Sequence, residues 1–322
     1  MKPDKLSKED KETLNLVTLA QKYADADTAR ELFEAMRWPN GACCPRCQND
    51  GKSGKAISKI VGKAKSESPA RKGLYFCGAC RKQFTATVGT IFEGSHIPLS
   101  KWLMALFIVC SSKKAVSAHQ LHRMLGLTYK SAWFMAHRIR FALGSKPEKL
   151  SGTVEVDETY IGGKGGDKRK LYYGKTPVVA LIERDGKMQA RVVPTVTEKN
   201  LGKCLNETVD KTAVLNTDDH AGYRRQGKKF QRHDVVVHSK YEYARPNADG
   251  SKAHVNSCES FFALLKRGVH GAWHCVSPEH LPKYANEFAF RWNHRKMTDG
   301  ERMCAAIPFT EGVRMFYRQP AD

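Results

Sequence analysis

Two C-x-x-C pairs, Cys44-Pro-Arg-Cys47 and Cys77-Gly-Ala-Cys80, constrain this chain more than any other feature. Two such knuckles on hairpin turns bring four thiolates into a tetrahedron around one Zn²⁺, as in a zinc ribbon. A module this small cannot build a core of its own, and the metal replaces it. The spacer between the pairs exceeds the usual length of about 15–20 residues. Its excess, "GKSGKAISKIVGKAKSESPARK", is lysine-rich and reads as an insertion at a hairpin tip, with "LYFC" and "KQFTATVGT" as flanking strands. Cys43 breaks the two-residue spacing and stays outside the set. The remaining cysteines are scattered, unlike a secreted disulfide framework. The alternative is a coincidence of four cysteines.

The chain has 322 residues, enough for two or three domains, and carries 54 Lys and Arg against 33 Asp and Glu, a net charge of +21. Such an excess favours a polyanionic partner over a merely solvated basic surface. No apolar run approaches the ~18 residues of a membrane span, and no basic amphipathic membrane helix is evident. Nucleic acid is therefore the expected partner. The N-terminal "MKPDKLSKEDKETLNL" has no signal-peptide core, so a cytoplasmic protein is expected.

Residues 12–37 read as helical, with Thr28 and Glu31 in capping-box spacing. Pro39 and Gly41 end the pattern. From "PLSKWLMALFIVCSS" onward the period is again helical. Ser117 would cap a helix ending at Leu125, Gly126 would make the turn, and a second helix would run from about Thr128 to Phe141. As a helix-turn-helix it would offer Lys130, Arg138 and Arg140 to DNA, while Trp133, Phe134 and Ile139 serve the core. A plain αα-hairpin is the alternative.

"GSKPEKLSG" (144–152) is a polar linker, and beyond it the period changes to alternation. Strands are expected at about 153–161, 177–184, 187–195, 213–217 and 234–238, the second and third joined by a turn at Asp185-Gly186. Helices are expected at 198–210, 256–268 and 277–294. Three antiparallel strands followed by two that alternate with helices is the order of an RNase H-like fold. The expected class is thus α/β, a mixed five-stranded sheet with flanking helices. Five segments are expected: helical (1–38), zinc ribbon (39–90), helix-turn-helix-like (91–147), RNase H-like (148–296) and a tail (297–322).

The first of those strands contains "VEVDETYIGG", with acids that strands normally avoid. Alternate residues share a face, so Glu155, Asp157 and Thr159 lie opposite Val154 and Val156. Asp218 follows directly on an apolar strand ending at Thr217, and Glu259 opens a helix seven residues before Lys266. Two strands and a helix could thus bring three carboxylates onto two Mg²⁺ (or Mn²⁺) ions for phosphodiester chemistry. Plainer roles compete: Asn256 and Glu259 also fit N-cap and N3, Asp218 could cap a helix, and Glu155 and Glu158 could be edge-strand charges. The histidines of "GVHGAWHC" fit packing or phosphate contacts better than a further metal.

The motifs "CPRC…CGAC", "FTATVGTIFEGSHIPLSKW", "AWFMAHRIR", "VEVDETYIGG", "NTDDHAGY" and "ESFFALLKRGVHGAWH…EFAFRWNHR" together resemble the zinc-ribbon-bearing transposases of the insertion-sequence 1595 family, from about Leu32 to Arg295. The resemblance implies an RNase H-like core and Mg²⁺-dependent cutting and joining of double-stranded DNA by a bacterial, nucleoid-associated enzyme that assembles as a homo-oligomer on DNA. It also implies Asp157 and Asp218 as the first two catalytic acids. The family's third position varies between Asn and Glu. Glu259 is preferred because carboxylate binds Mg²⁺ better than amide. Asn256 remains an alternative, as does Asp219 beside Asp218. Lys266, with Arg267 next to it, would contact DNA phosphate, or Lys266 would orient Glu259. The rivals are a nuclease that cuts without joining and a non-catalytic DNA-binding descendant.

Overall fold

The computed structural model describes residues 6–52, 54–61, 72–144, 148–162, 174–237 and 241–315. The chain divides into two compact units. One comprises Met1–Ser112, Val116–Leu143 and Lys296–Asp322; the other comprises Gly144–Arg295 with Lys113–Ala115. Among the described residues no helix is long and apolar enough to cross a membrane.

The first unit begins with α1 (Lys8–Thr13), α2 (Leu16–Lys22) and α3 (Ala26–Arg37) where one helix is predicted over 12–37. The breaks come from caps. Asn15 accepts from the Thr18 N–H, and Asp25 accepts from those of Asp27 and Thr28. Thr28 lies inside α3 and donates its hydroxyl to the Asp25 carbonyl, so the Thr28–Glu31 capping box does not form. A carboxylate at that end also complements the helix dipole.

Strands β1 (Ile57–Lys59), β2 (Tyr75–Cys77) and β3 (Gln83–Phe84) form an antiparallel sheet in that order. Part of the expected insertion is thus the strand β1, paired with β2; its residues 62–71 lie outside the described ones. Helix α4 (Leu99–Ser111) is buried nearly all round, through Trp102, Leu103, Leu106, Ile108 and Val109, and forms the centre of this unit.

Helix α5 (Ala118–Leu125) has the predicted cap, Ser117; α6 (Tyr129–Ala142) is capped by Thr128, its expected first residue, and Gly126 makes the left-handed turn at φ 58°. The expected DNA contacts of α6 need correction. Arg138 is buried, lies over the Trp102 ring and donates to the Glu93 carbonyl. Arg140 is 1% exposed and donates to the Val116 carbonyl. Both guanidiniums satisfy interior carbonyls instead of facing solvent. Lys130 is exposed.

The second unit contains β4 (Thr153–Ile161), β5 (Thr176–Glu183), β6 (Met188–Val192), α7 (Glu198–Thr208), β7 (Val214–Asp218), α8 (Ala221–Gly227) and β8 (Arg232–Val236). A short hairpin, β9 (Arg245–Pro246) and β10 (Lys252–Ala253), leads to α9 (Asn256–Gly268). After a π-helical turn at Val269–Trp273 comes α10 (Leu281–Asn293), which starts later than predicted, with Pro282 in its first turn. Trp273 packs on Tyr284 and Phe288.

The sheet order is β6-β5-β4-β7-β8. The first three strands are antiparallel; β7 runs parallel to β4, and β8 to β7. This is the RNase H-like order, with β4 at the centre. Val154, Val156, Val179 and Leu181 pack toward Leu201 and Leu205 of α7 and Tyr223 of α8. Ile161, Val178, Ala180 and Ile182 face Phe261 and Leu265 of α9 and Phe288 of α10. Gly268 permits a close helix crossing, since a Cβ there would stand 2.5 Å from the Phe288 ring.

The segment after Arg295 is more than a tail. It returns to the first unit as α11 (Asp299–Ala306), which packs on α4 and α1.

Candidate metal centres and active site

In the ribbon, the Sγ atoms of Cys44, Cys47, Cys77 and Cys80 all lie within 4.8 Å of one another. Cys44 to Cys80 is 3.7 Å and Cys47 to Cys77 is 3.6 Å. Tetrahedral thiolates on Zn²⁺, with bonds of about 2.3 Å, stand about 3.8 Å apart, so the set fits this metal. The two knuckles share one geometry. In each, the residue after the second cysteine (Gln48, φ 59°; Arg81, φ 56°) is left-handed and its N–H closes the turn on the first cysteine's carbonyl. The N–H groups of Cys80 and Ala79 and the Asn49 amide lower the Cys77 thiol to about 6, favouring the ligating thiolate. Beneath, Trp38 meets Tyr75 and Phe84 edge to face.

The acids gather where β7 ends beside the middle of the central strand β4. Their parallel register pairs Val156 with Thr217, so Asp157 and Asp218 occupy the next step along adjacent strands. Carboxylate oxygens of Asp157, Glu158 and Asp218 lie within 4.8 Å of one another. The Glu158 N–H donates to Asp157 at 2.8 Å and the His220 N–H to Asp218 at 3.2 Å, which orients both aspartates. Burial, then the Asp218 charge, lifts the Asp157 carboxyl to about 7; Glu158 and Glu259 add to the rise, against the Glu158 N–H. Such crowding of hard oxygen donors is what a divalent cation relieves, so the donor set fits Mg²⁺.

Strand alternation places Glu158 on the face opposite Asp157, toward α8. There the buried Tyr223 hydroxyl donates to it at 2.6 Å. Burial raises the Glu158 carboxyl, and this hydrogen bond opposes the rise. Glu158 is not an edge-strand charge, because β4 is central. The strand pattern marked Glu158 only as an unusual acid; the signal for its partner was a tyrosine five residues after Asp218, at the start of the next helix.

Glu259 is exposed in the first turn of α9, outside the closest cluster, but near enough for its charge to act on Asp157. Asn256 is exposed at the first position of α9 and does not cap it: the N-cap is Val255, with no side-chain cap bond. Asp218 does not cap α8 either, since His220 accepts from the Gly222 N–H there. Asp219 is half-buried beside Asp218 and outside the cluster. Lys266 and Arg267 are exposed in the last turn of α9. Glu155 is fully buried, paired with Arg184 at 2.9 Å, and stands apart from the cluster.

Comparison with known proteins covers both regions. Residues 149–293 match the family described as "ISXO2-like transposase domain" and residues 24–83 the "Transposase zinc-ribbon domain", together more than half of the chain. The chain belongs to the insertion-sequence 1595 transposase family. The protein named "Uncharacterized protein in transposable element ISH50" of Halobacterium salinarum is 29% identical over 289 residues, covering 82% of this chain and 89% of its own. A chain of the simian T-cell lymphotropic virus intasome, solved with PP2A regulatory subunit B56 gamma, covers 60% of this transposase and 65% of itself at 13% identity and a TM-score of 0.27. Overlap that slight carries no inference of fold or function.

Proposed function

We propose that this transposase cuts DNA at the ends of a bacterial insertion sequence and joins the freed 3′-hydroxyls to target DNA. The carrying observation is the placement of Asp157 and Asp218 at neighbouring steps of two parallel central strands, with Glu259 acting on Asp157 from the first turn of α9. In this reading Asp157, Asp218 and Glu259 hold two Mg²⁺ or Mn²⁺ ions, with Asn256 the alternative to Glu259. Metal held there supplies Lewis-acid stabilisation of the phosphate oxygens in the displacement. The residues themselves set the geometry: backbone N–H groups orient both aspartates, and the Tyr223 hydroxyl orients Glu158.

Exposed Lys130, Lys266 and Arg267, within a chain of net charge +21, hold the DNA backbone, and that grip weakens with salt. The ribbon, built on one structural Zn²⁺, takes part in recognising the ends. Bringing two ends together calls for at least two copies of the chain on DNA, in the cytoplasm at the nucleoid.

The test is cleavage and strand transfer on labelled duplexes from both flanks of the element, with Mg²⁺. Wild type is compared with Asp157→Asn, Asp218→Asn, Glu259→Gln and Asn256→Ala. Metal-dependent nicking and joining, lost in the first three variants, is expected. Loss in Asn256→Ala but not Glu259→Gln moves the third role to Asn256. Tight binding without cleavage by wild type overturns the reading.

A further inference from the structure

Helix α9 begins without a local cap: Val255 supplies no side-chain bond to its free N–H groups. The missing acceptor comes from the central strand. Glu155, fully buried on the same face as Asp157 and two residues before it, accepts from the Ser257 N–H at 2.9 Å through Oε2. Its Oε1 accepts from Arg184 Nε at 2.9 Å and lies 3.1 Å from His254 Nδ1. Arg184 in turn donates to the carbonyls of Lys252, at 2.6 Å, and His254, at 3.4 Å. The backbone leading into α9 is thereby clamped from both sides.

The second catalytic strand repeats the arrangement. Asn216, 1% exposed and two residues before Asp218, reaches the same His254 carbonyl with its amide at 3.5 Å. At the third residue of α9, the Cys258 thiol points at the Ala180 carbonyl at 3.7 Å, and Ala180 is the β5 partner of Asp157. The residues two before each aspartate, in "EVD" and "NTD", therefore hold the start of the helix that carries Asn256 and Glu259.

We propose that Glu155 is a positioning residue of the phosphoryl-transfer site. It fixes the start of α9 to β4 and so sets where the third metal-binding residue, Glu259 or Asn256, stands relative to Asp157 and Asp218. Its buried charge is needed because the Arg184 guanidinium and the Ser257 N–H at the helix start converge on one carboxylate. The inference rests on the metal-dependent reading above. A shift of about 1 Å at such a group costs on the order of a hundredfold in rate.

The experiment uses the full, zinc-loaded chain as wild type, Glu155→Gln and Asn216→Ala. It measures Mn²⁺ binding by calorimetry without DNA, the Mg²⁺ concentration giving half-maximal end cleavage, zinc content and thermal melting. Glu155→Gln keeps the shape and an acceptor for Ser257 but removes the charge. Its Mn²⁺ affinity is expected to fall by about 10–100-fold, as for other groups that orient metal ligands. The Mg²⁺ midpoint should rise in parallel, cleavage should recover at saturating metal, and one zinc should stay bound. Asn216→Ala should shift both quantities in the same direction, by less. Should Glu155→Gln fail to fold, Arg184→Lys, which keeps the carboxylate but loses the fork, must show the same metal shift. Affinity and midpoint within twofold of wild type, whatever the melting temperature, would overturn the positioning role. Wild type that neither binds Mn²⁺ nor cleaves would instead sink the phosphoryl-transfer reading itself.

Discussion

Without divalent metal, the acid cluster should destabilise its own domain at neutral pH, and Asp157→Asn should relieve it. The Asp157 carboxyl is raised from 3.8 to about 7, by burial and then by the Asp218 charge. Folding therefore takes up a proton between those values, and stability falls as pH rises across that window. About 3 pH units at roughly 1.4 kcal/mol each give an upper bound of about 4 kcal/mol. Asp157 is only half-buried, so screening by water reduces this to about 2–4 kcal/mol. Asparagine is isosteric, keeps an acceptor for the Glu158 N–H and carries no charge. In divalent-free buffer at pH 7.5, with zinc retained, Asp157→Asn should exceed wild type in stability by that amount. For a domain of about 150 residues this corresponds to a melting temperature higher by about 4–16 °C. The advantage should shrink toward pH 4.5, where wild-type Asp157 is protonated, and Mg²⁺ should stabilise wild type but not the variant. An Asp157→Asn protein that melts at or below wild type at pH 7.5 without divalent metal would refute the electrostatic reasoning.

Arg140→Met should lower unfolding free energy by about 1.5–3 kcal/mol, the cost of a lost charged hydrogen bond, while DNA affinity by fluorescence anisotropy stays unchanged; weaker DNA binding at unchanged stability would restore its sequence-expected role. Chelating the ribbon metal, or Cys47→Ser, should release one zinc per chain and collapse the near-ultraviolet signal of Trp38 packed on Tyr75 and Phe84; a signal surviving metal loss would mean the ribbon folds unaided. Tyr223→Phe removes the donor that holds the Glu158 carboxyl down, so the acid limb of the cleavage pH profile should move to higher pH. An unmoved limb would separate Glu158 from the reaction.

What the sequence made legible was periodic or covalently spaced. The C-x-x-C pairs place the ribbon because two residues between thiols is a geometric requirement of the knuckle. The change of period at the 144–152 linker and the Asp185-Gly186 turn locate the sheet, and residue parity puts Asp157 opposite Val156 correctly. Long-range partners were hidden. Arg138 and Arg140 sit at helical positions that read as a basic face, and only the fold reveals carbonyls of Glu93 and Val116 waiting for them. Glu155 caps a helix 102 residues away in sequence, a relation that no local capping pattern encodes. Thr28 has capping-box spacing, but Asp25 is the stronger acceptor and takes the helix start three residues earlier. The helix after Arg295 was missed because much of its packing face is satisfied by α4 and α1, from far earlier in the chain.

The most direct test of the account supplies a pre-cut element end, bearing either a 3′-hydroxyl or a 3′-deoxy terminus, to wild type and to Asp218→Asn with plasmid target and Mg²⁺. Joined product is predicted only for wild type with the 3′-hydroxyl, and it should vanish when Mg²⁺ is omitted. Joining by Asp218→Asn, or no joining by wild type under any divalent metal, would contradict the assignment of the carboxylate site to strand transfer.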